Sequence, residues 1–177
     1  MKHIYYSLTI SLLVGLCTIS CETKEKEQPQ TSTIKGQLVS HSSCKSSLKS
    51  TPEVDTSPDS LSCIEYTFNN ETKTLIINHT NAAFNCCPDS LYCTVTVKGD
   101  TLLIQEFEQS SLCSCNCLYD LTIEVDSLDV KAYHMVFIEP YVRDEAQLIV
   151  DMDLTQSYHG TYCITRKFYP WGMESGN

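Results

Sequence analysis

Apolar and polar residues alternate along most of the chain beyond residue 60, which is the pattern of β-strands with one buried face. In the first such segment Ile64, Tyr66 and Phe68 face one side, while Glu65 and Thr67 face the other. The same period of two predicts further strands at 34–40, 73–80, 93–98, 101–106, 119–125, 131–139, 146–154 and 161–168. No window of a dozen residues has a helical face, so the sequence predicts an all-β protein.

Short strands at this spacing are typical of a β-sandwich, and we expect an immunoglobulin-like one, stapled by disulfides or by metal. A jelly roll or a small barrel is the alternative. The dipeptide Gly99-Asp100 predicts a hairpin between the strands on either side of it. Residues 126–130 predict a second turn, from which the strand at 131–139 returns.

Two stretches are too polar to belong to the sandwich. Residues 22–32 contain no apolar side chain, so they cannot bury surface that would offset the entropy of ordering them. Residues 46–60 are rich in Ser, Thr and Pro and predict a polar loop. We therefore expect a leader at 1–20, a flexible tether at 21–32, one sandwich domain at 33–172 and a flexible tail at 173–177.

The leader has the composition of an export signal. Lys2 precedes an apolar run that is shorter than the ~20 apolar residues of a membrane-spanning helix. A small residue, Ser20, stands directly before Cys21, whereas bulky Leu16 precedes Cys17. These features predict cleavage between Ser20 and Cys21.

The residues around the cleavage point resemble a bacterial lipobox, which implies that Cys21 is acylated. The segment departs from the lipobox pattern at Thr18, where Leu is usual. Glu22, Glu25 and Glu27 also resemble the acidic surface-export signal of some Gram-negative lipoproteins. The resemblance implies a protein anchored to the outer membrane of a bacterial cell envelope, on its periplasmic or its surface side. Two or more acyl chains are enough for stable anchoring.

Charge limits the partners further. The chain has 12 basic and 22 acidic residues, which give a formal net charge of −10. Nucleic acid and anionic lipid headgroups are poor partners for such a protein. We expect contact with the membrane through the lipid anchor, and a protein or a glycan as the ligand.

The cysteines are the most distinctive candidates for chemistry. Of the eleven in the chain, Cys17 lies in the leader and Cys21 is the expected acylation site, which leaves nine in the domain. Because an exported domain forms disulfides and nine is odd, at least one thiol is left over or forms a bridge to another chain. Two groups stand close in sequence, namely Cys86 with Cys87 and the run Cys113, Cys115 and Cys117.

This group allows two interpretations. In the preferred one, Cys86 and Cys87 each pair with a member of the later run and staple two loops together. In the other, the three sulfurs of the run join one of the pair in a tetrahedral thiolate site for zinc, although the spacing lacks the usual C-x-x-C pairs. The run also places its three sulfurs on one side of an extended segment, where the core begins. Further disulfide candidates are Cys44, Cys63 and Cys163.

Other candidate residues have less distinctive settings. His79 stands near Cys86 and has a metal-site interpretation, but a strand-end histidine bonded to backbone is preferred. Asp151 and Asp153 form either a cleft pair or, as we prefer, part of a solvated strand face. No hydrolase, P-loop, zinc-protease or dinucleotide motif occurs, so we expect no catalytic residues.

The end of the domain holds the only tryptophan, Trp171, close to Arg166 and Tyr169. These side chains predict either an exposed aromatic patch for a ligand or, as we prefer, a plug at one end of the sandwich.

A separate pattern of Asp, then Ser or Thr, then Leu occurs four times and resembles an O-glycosylation sequon of Gram-negative envelope proteins. Turn chemistry is its other explanation. The acceptors would be Ser60, Ser90, Thr101 and Ser127, of which Ser60 is the favoured one.

Several segments together resemble a group of small, cysteine-rich bacterial envelope lipoproteins that carry no assigned activity. They are residues 41–45, 85–88, 115–120, 162–163 and 169–172. Cys93 has no counterpart in that pattern, which makes it the candidate free thiol. The resemblance implies an envelope lipoprotein and supplies no substrate. We therefore expect a non-catalytic binding or structural accessory module without a cofactor, with a thiolate zinc protein as the alternative.

Overall fold

The structure is a computed structural model that describes residues 34–45, 60–168 and 170–171, all of which belong to the compact unit Ser32–Asn177. Nine strands and no helix are found in this described part of the chain. The strands are β1 (Lys35–His41), β2 (Leu61–Asn69), β3 (Thr74–Asn85), β4 (Pro88–Lys98), β5 (Thr101–Ser111), β6 (Asn116–Asp126), β7 (Ala132–Ile138), β8 (Ile149–Asp153) and β9 (His159–Thr165). Since there is no helix, none is long and apolar enough to cross a membrane among these residues.

The strands form two sheets, so the prediction of an all-β sandwich is confirmed. The larger sheet has the order β1-β6-β3-β2-β9, and the smaller one has the order β4-β5-β7-β8. Every neighbouring pair is antiparallel except β5 and β7, which run parallel. The immunoglobulin order would place the first strand beside the second. Here β1 pairs with β6, so the immunoglobulin-like part of the prediction is not confirmed.

The apolar sides of both sheets meet in one core. Ile64, Phe68 and Leu75 come from the larger sheet, and Leu102 and Phe137 come from the smaller one; all five are buried. These are the alternating positions that the sequence pattern predicts to face inward. Burial of such side chains supplies ~1.5–3 kcal/mol each, which makes this contact the main source of stability.

Two connections between consecutive strands differ: one is a hairpin within a sheet, and the other crosses from one sheet to the other. Gly99, whose φ of 62° favours glycine, and Asp100 turn β4 into β5 as the hairpin prediction requires. The turn after β6, however, does not return the chain to the same sheet, because β7 pairs with β5 in the other sheet. This connection is a crossover between the sheets, and it creates the parallel pair.

The sheets also approach each other closely at one edge. A Cβ atom built on Gly36 of β1 would lie 2.2 Å from Val95 Cγ2 of β4. Only glycine fits such an approach, so Gly36 sets the distance between these two edge strands.

Candidate functional site

Three disulfides close one end of the larger sheet. They join Cys44 to Cys117, Cys86 to Cys115 and Cys87 to Cys113. They connect the segment after β1 and the β3–β4 turn to the start of β6. This is the arrangement of the stapling interpretation, extended by one disulfide to Cys44.

The sulfurs of Cys44, Cys86 and Cys117 lie within 4.8 Å of one another, which is the spacing of a metal site. All three are in disulfides, however, and a disulfide sulfur is not the thiolate that zinc requires. Within the 113–117 run, Cys117 is buried in β6, which begins at Asn116, whereas Cys115 precedes that strand and is exposed.

The remaining two candidates, Cys63 and Cys163, form a fourth disulfide between β2 and the edge strand β9. Cys93 is the one free thiol among the described residues, and it is buried in the core. The structure therefore gives all nine cysteines of the domain a position.

Trp171 is buried, as the plug interpretation requires, with only 1% of its surface exposed. Its indole Nε1 donates a hydrogen bond to the carbonyl oxygen of Asn81 at 3.1 Å, and its ring packs against Ala83 and Leu118. The Arg166 guanidinium lies 5.0 Å from the centre of the indole ring and is equally enclosed. Tyr169 lies outside the described residues. Trp171 and Arg166 therefore offer no exposed patch to a ligand.

A group of buried polar side chains lies between the two sheets, and we refer to it as the polar cluster. It brings together residues whose chain positions are far apart: Ser62, His79, Glu106, Glu139 and Arg166. His79 Nδ1 donates to Glu106 Oε1 at 2.7 Å, and Nε2 lies 3.0 Å from Ser62 Oγ. Arg166 Nη2 donates to Glu139 Oε2 at 2.6 Å. His79 is thus held by side chains, and the expectation that it bonds to backbone is wrong.

Three members of the polar cluster stand where the strand pattern calls for an apolar residue. His79 follows Leu75 and Ile77 with a period of two, and Glu106 follows Leu102 and Ile104 in the same way. Glu139 likewise follows Met135 and Phe137. An ionisable residue that continues an inward-facing apolar series indicates a buried polar group, and this signal is present in the sequence alone.

Within the polar cluster, the two nearby carboxylates favour the protonated, positively charged form of His79. Burial lowers the pKa of His79, but the carboxylates of Glu106 and Glu139 outweigh burial, so the pKa of His79 is raised overall. Burial raises the pKa of Glu139, against the opposing charges of His79 and Arg166. Within the described part of the chain, Glu106 Oε2, Glu139 Oε1 and Arg166 Nε have no hydrogen-bond partner.

The series Ser62, His79 and Glu106 has the order of contacts of a catalytic triad, hydroxyl to imidazole to carboxylate. Ser62 and His79 have no exposed surface, however. A nucleophile must reach its substrate, and this hydroxyl cannot do so in the folded conformation. The geometry therefore does not support hydrolysis at this position.

The outer face of the smaller sheet carries six apolar side chains, two exposed and four half-buried, which we call the apolar face. Cross-strand pairing aligns Tyr92 with Phe107, and the two rings stack 5.0 Å apart at 12°. The aliphatic members follow on β5, β7 and β8, and they are Leu103, Val136, Ile138 and Ile149. Tyr92 is 45% exposed and Ile138 is 39% exposed. The apolar face was not expected, because the alternation assigns these positions to solvent and does not show that neighbouring strands align them.

The two aspartates of β8 lie on the solvated side, as we prefer from the sequence. Asp151 and Asp153 are both exposed and border a pocket of about 290 Å³. Asp151 accepts a hydrogen bond from His134 Nδ1 at 2.7 Å. This pair is open to water, so its interaction is weak.

The four sequon residues are placed differently from one another. Ser60 is exposed in the turn before β2, and Thr101 begins β5 after a turn. Ser90 lies near the start of β4, and Ser127 follows the end of β6. Ser60 and Ser90 are the exposed acceptors.

Comparison of the chain with known protein families, with curated proteins and with solved structures finds no match. The described residues form a two-sheet β-protein held by four disulfides. The expected leader, the acylation site Cys21 and the tether at 21–32 lie outside the described residues, as does most of the polar loop at 46–60.

Proposed function

We propose that the protein is a lipid-anchored member of the bacterial cell envelope that binds a partner protein through its apolar face. It acts as a non-catalytic binding module. The observation that carries this proposal is the partly exposed group of apolar side chains on the smaller sheet, from Tyr92 and Phe107 to Ile138. Exposed apolar patches on a protein surface mark interaction sites.

The contrast between the two sheets supports this assignment. On the outer face of the larger sheet, cross-strand pairing aligns polar side chains, including Glu65, Asn78 and Thr122. Thr122 Oγ1 donates to Asn78 Oδ1 at 3.1 Å on that face. The outer face of the larger sheet is thus mainly polar, whereas that of the smaller sheet carries aromatic and aliphatic side chains beside polar ones such as His134 and Asp151.

The chemistry of the apolar face favours a protein over a glycan. Four of its six side chains are aliphatic, and they offer no hydrogen-bonding groups for sugar hydroxyls. Interfaces between proteins are enriched in aromatic residues and depleted of charged ones at their centre. The apolar face has that composition.

Anchoring through Cys21 is the second part of the proposal. Disulfides are typical of exported proteins, so the four in the domain support an oxidising compartment outside the cytoplasm. The lipobox-like segment before Cys21 supports acylation, and the polar tether would place the domain away from the membrane. The envelope lipoproteins that the chain resembles supply the same location.

The binding part is tested by site-specific photo-crosslinking in the intact envelope. A crosslinker at position 138 should capture one protein, while a crosslinker at Thr67 on the outer face of the larger sheet should not. The captured protein is then purified, and its affinity for the domain is measured. Ile138→Glu should weaken that affinity at least tenfold, since it buries a charge in the interface. Thr67→Glu should leave it unchanged.

Equal capture from both positions would contradict the proposal, as would an affinity that Ile138→Glu does not alter. Capture of a second copy of this chain, with a dimer in solution, would show self-association instead of a separate partner. The anchor is tested independently by incorporation of a labelled fatty acid. Cys21→Ala should abolish incorporation and Cys17→Ala should not.

The thiolate zinc alternative is tested by counting thiols. After export and denaturation, we expect one alkylated cysteine in the domain and four intact disulfides. Four or more alkylated cysteines together with a bound metal ion would favour the thiolate site instead.

A further inference from the structure

We propose that the polar cluster is a buried binding site for one divalent transition-metal ion, of which zinc is the representative. His79, Glu106 and Glu139 are the ligands. This site is distinct from the cysteines and from the apolar face, and it does not depend on the proposed function.

The positions of the donor atoms carry the inference. One nitrogen of His79 and one oxygen of each glutamate lie within 4.8 Å of one another. With bonds of ~2.0–2.2 Å, two ligands of the same ion lie at most about 4.4 Å apart, so a small side-chain adjustment is sufficient. Imidazole nitrogen with carboxylate oxygen is a donor set that zinc accepts.

Two oxygens of the cluster are left without partners by the protein. Glu139 Oε1 lies 3.8 Å from His79 Nε2, which is beyond hydrogen-bond distance, and no described residue donates to it. Glu106 Oε2 likewise has no hydrogen-bond partner among the described residues. Both side chains are at least nine-tenths buried. An unpartnered buried acceptor is costly, and a cation bound between the two glutamates would satisfy both.

The groups around the three ligands also suit the binding of a cation. Arg166 Nη2 holds Glu139 Oε2, which leaves Oε1 on the side of His79. Hydrogen bonds of this kind orient ligands around protein-bound metals. With His79 neutral, two carboxylates and one guanidinium leave one excess negative charge in the core. That charge attracts a cation: a divalent ion would change it to one excess positive charge, whereas a proton on His79, the competing occupant, would cancel it.

The three ligands are enclosed by the protein, so an ion bound there would have no contact with a substrate and would act on stability. All three ligands are buried, and they come from both sheets, since His79 lies on β3 while Glu106 lies on β5. Closed metal sites contribute directly to folding stability. A bound ion would therefore link the two sheets at their common core.

The test uses the full exported chain with its disulfides formed, after treatment with a chelator. Zinc is added, and bound metal is counted by native mass spectrometry while the melting temperature is measured. We expect one ion per chain and a melting temperature that rises with zinc concentration. Glu106→Gln and Glu139→Gln should each weaken binding by more than the ~10–100-fold that loss of an outer partner costs. The matched control is His134→Gln, which removes an exposed histidine paired with Asp151 and should not affect binding.

Cobalt serves as a second probe, because it is visible in wild-type protein even where the glutamine variants fail to fold. We expect absorption typical of nitrogen and oxygen ligands. Sulfur-to-cobalt charge transfer would overturn the proposal, since it would place the ion at cysteines. A wild-type chain that neither retains an ion nor gains thermal stability would also overturn it, as would unchanged binding in folded variants of both glutamates.

Discussion

At the scale of single residues, the position of the buried thiol Cys93 determines its reactivity. Cys93 pairs across the strands with Glu106, so its side chain faces the core beside a carboxylate. Burial, and then the negative charge of Glu106, raises the pKa of Cys93 to about 12. Because the thiolate is the reactive form, this cysteine is protected twice, by its protonation and by its surroundings.

We therefore predict that iodoacetamide leaves Cys93 unmodified in the folded protein at pH 8. In denaturant without reductant, the same reagent should add one equivalent to the domain, measured by intact mass. Cys93→Ala is the control and should take up none. Modification of the folded protein as fast as of the denatured one would contradict the buried position.

The roles and partners of individual residues could be predicted from the sequence to different degrees. The existence of one free thiol was within reach because export and an odd count restrict the options, whereas Cys93 itself was named only from the resemblance. The preferred pairing of Cys86 and Cys87 with the later run is the one found. The polar cluster was not assembled from the sequence, although its members interrupt apolar series. His79 and Glu106 are 27 residues apart and lie in different sheets, and a pattern within one strand does not reveal its neighbour across the core.

At the scale of elements, the edge strand β9 depends on a covalent link. It pairs with β2 along one side only, and Cys63–Cys163 joins the two strands. The cysteines are 100 residues apart, so their disulfide restricts the unfolded chain strongly. Its contribution should exceed that of Cys87–Cys113, whose separation is 26 residues.

We predict that the double variant Cys63→Ala/Cys163→Ala loses about 2–5 kcal/mol of unfolding free energy in urea. Amide exchange should increase most along β9, because the lost link held this edge. The double variant Cys87→Ala/Cys113→Ala is the comparison and should lose less. Equal losses in the two would show that loop length does not determine the effect.

The contact between β1 and β4 gives a second prediction for elements. Gly36→Ala should lower the unfolding free energy by about 1–3 kcal/mol, since its new methyl group would overlap Val95. Val95→Ala in the same chain should restore part of the loss, measured by urea denaturation. If Gly36→Ala is neutral, the two edge strands are farther apart than the structure has them.

The strands themselves were largely predictable, whereas their arrangement was not. All nine segments that alternate in sequence are strands, because a half-buried strand requires that alternation. The expected return of the chain after residues 126–130 was wrong in its partner, since β7 joins the other sheet. Alternation states which side of a strand is buried but not which strand lies beside it.

For the whole molecule, buried charges connect the two sheets. Glu139 follows β7 of the smaller sheet, and Arg166 follows β9 of the larger one. Their ion pair at 2.6 Å is almost fully enclosed. Loss of one partner leaves the other charge buried and unpaired, which costs more than removing both.

We predict that Glu139→Leu and Arg166→Leu each lower the unfolding free energy by about 3–5 kcal/mol when measured with a chelator present. The double variant should be clearly more stable than the sum of the two losses implies. Urea denaturation of all four proteins completes the cycle. Additive losses would show that the two residues do not act as a pair.

The parallel pairing of β5 with β7 has a consequence for the order in which the protein can be made. The two strands are separated in the chain by β6, which belongs to the other sheet. A nascent chain that has not yet reached residue 132 can form the β4–β5 hairpin but leaves the far edge of β5 open. Open strand edges promote aggregation, and pairing between distant segments is slow. The last quarter of the chain therefore determines when this strand edge is covered, after six of the nine strands have been synthesised.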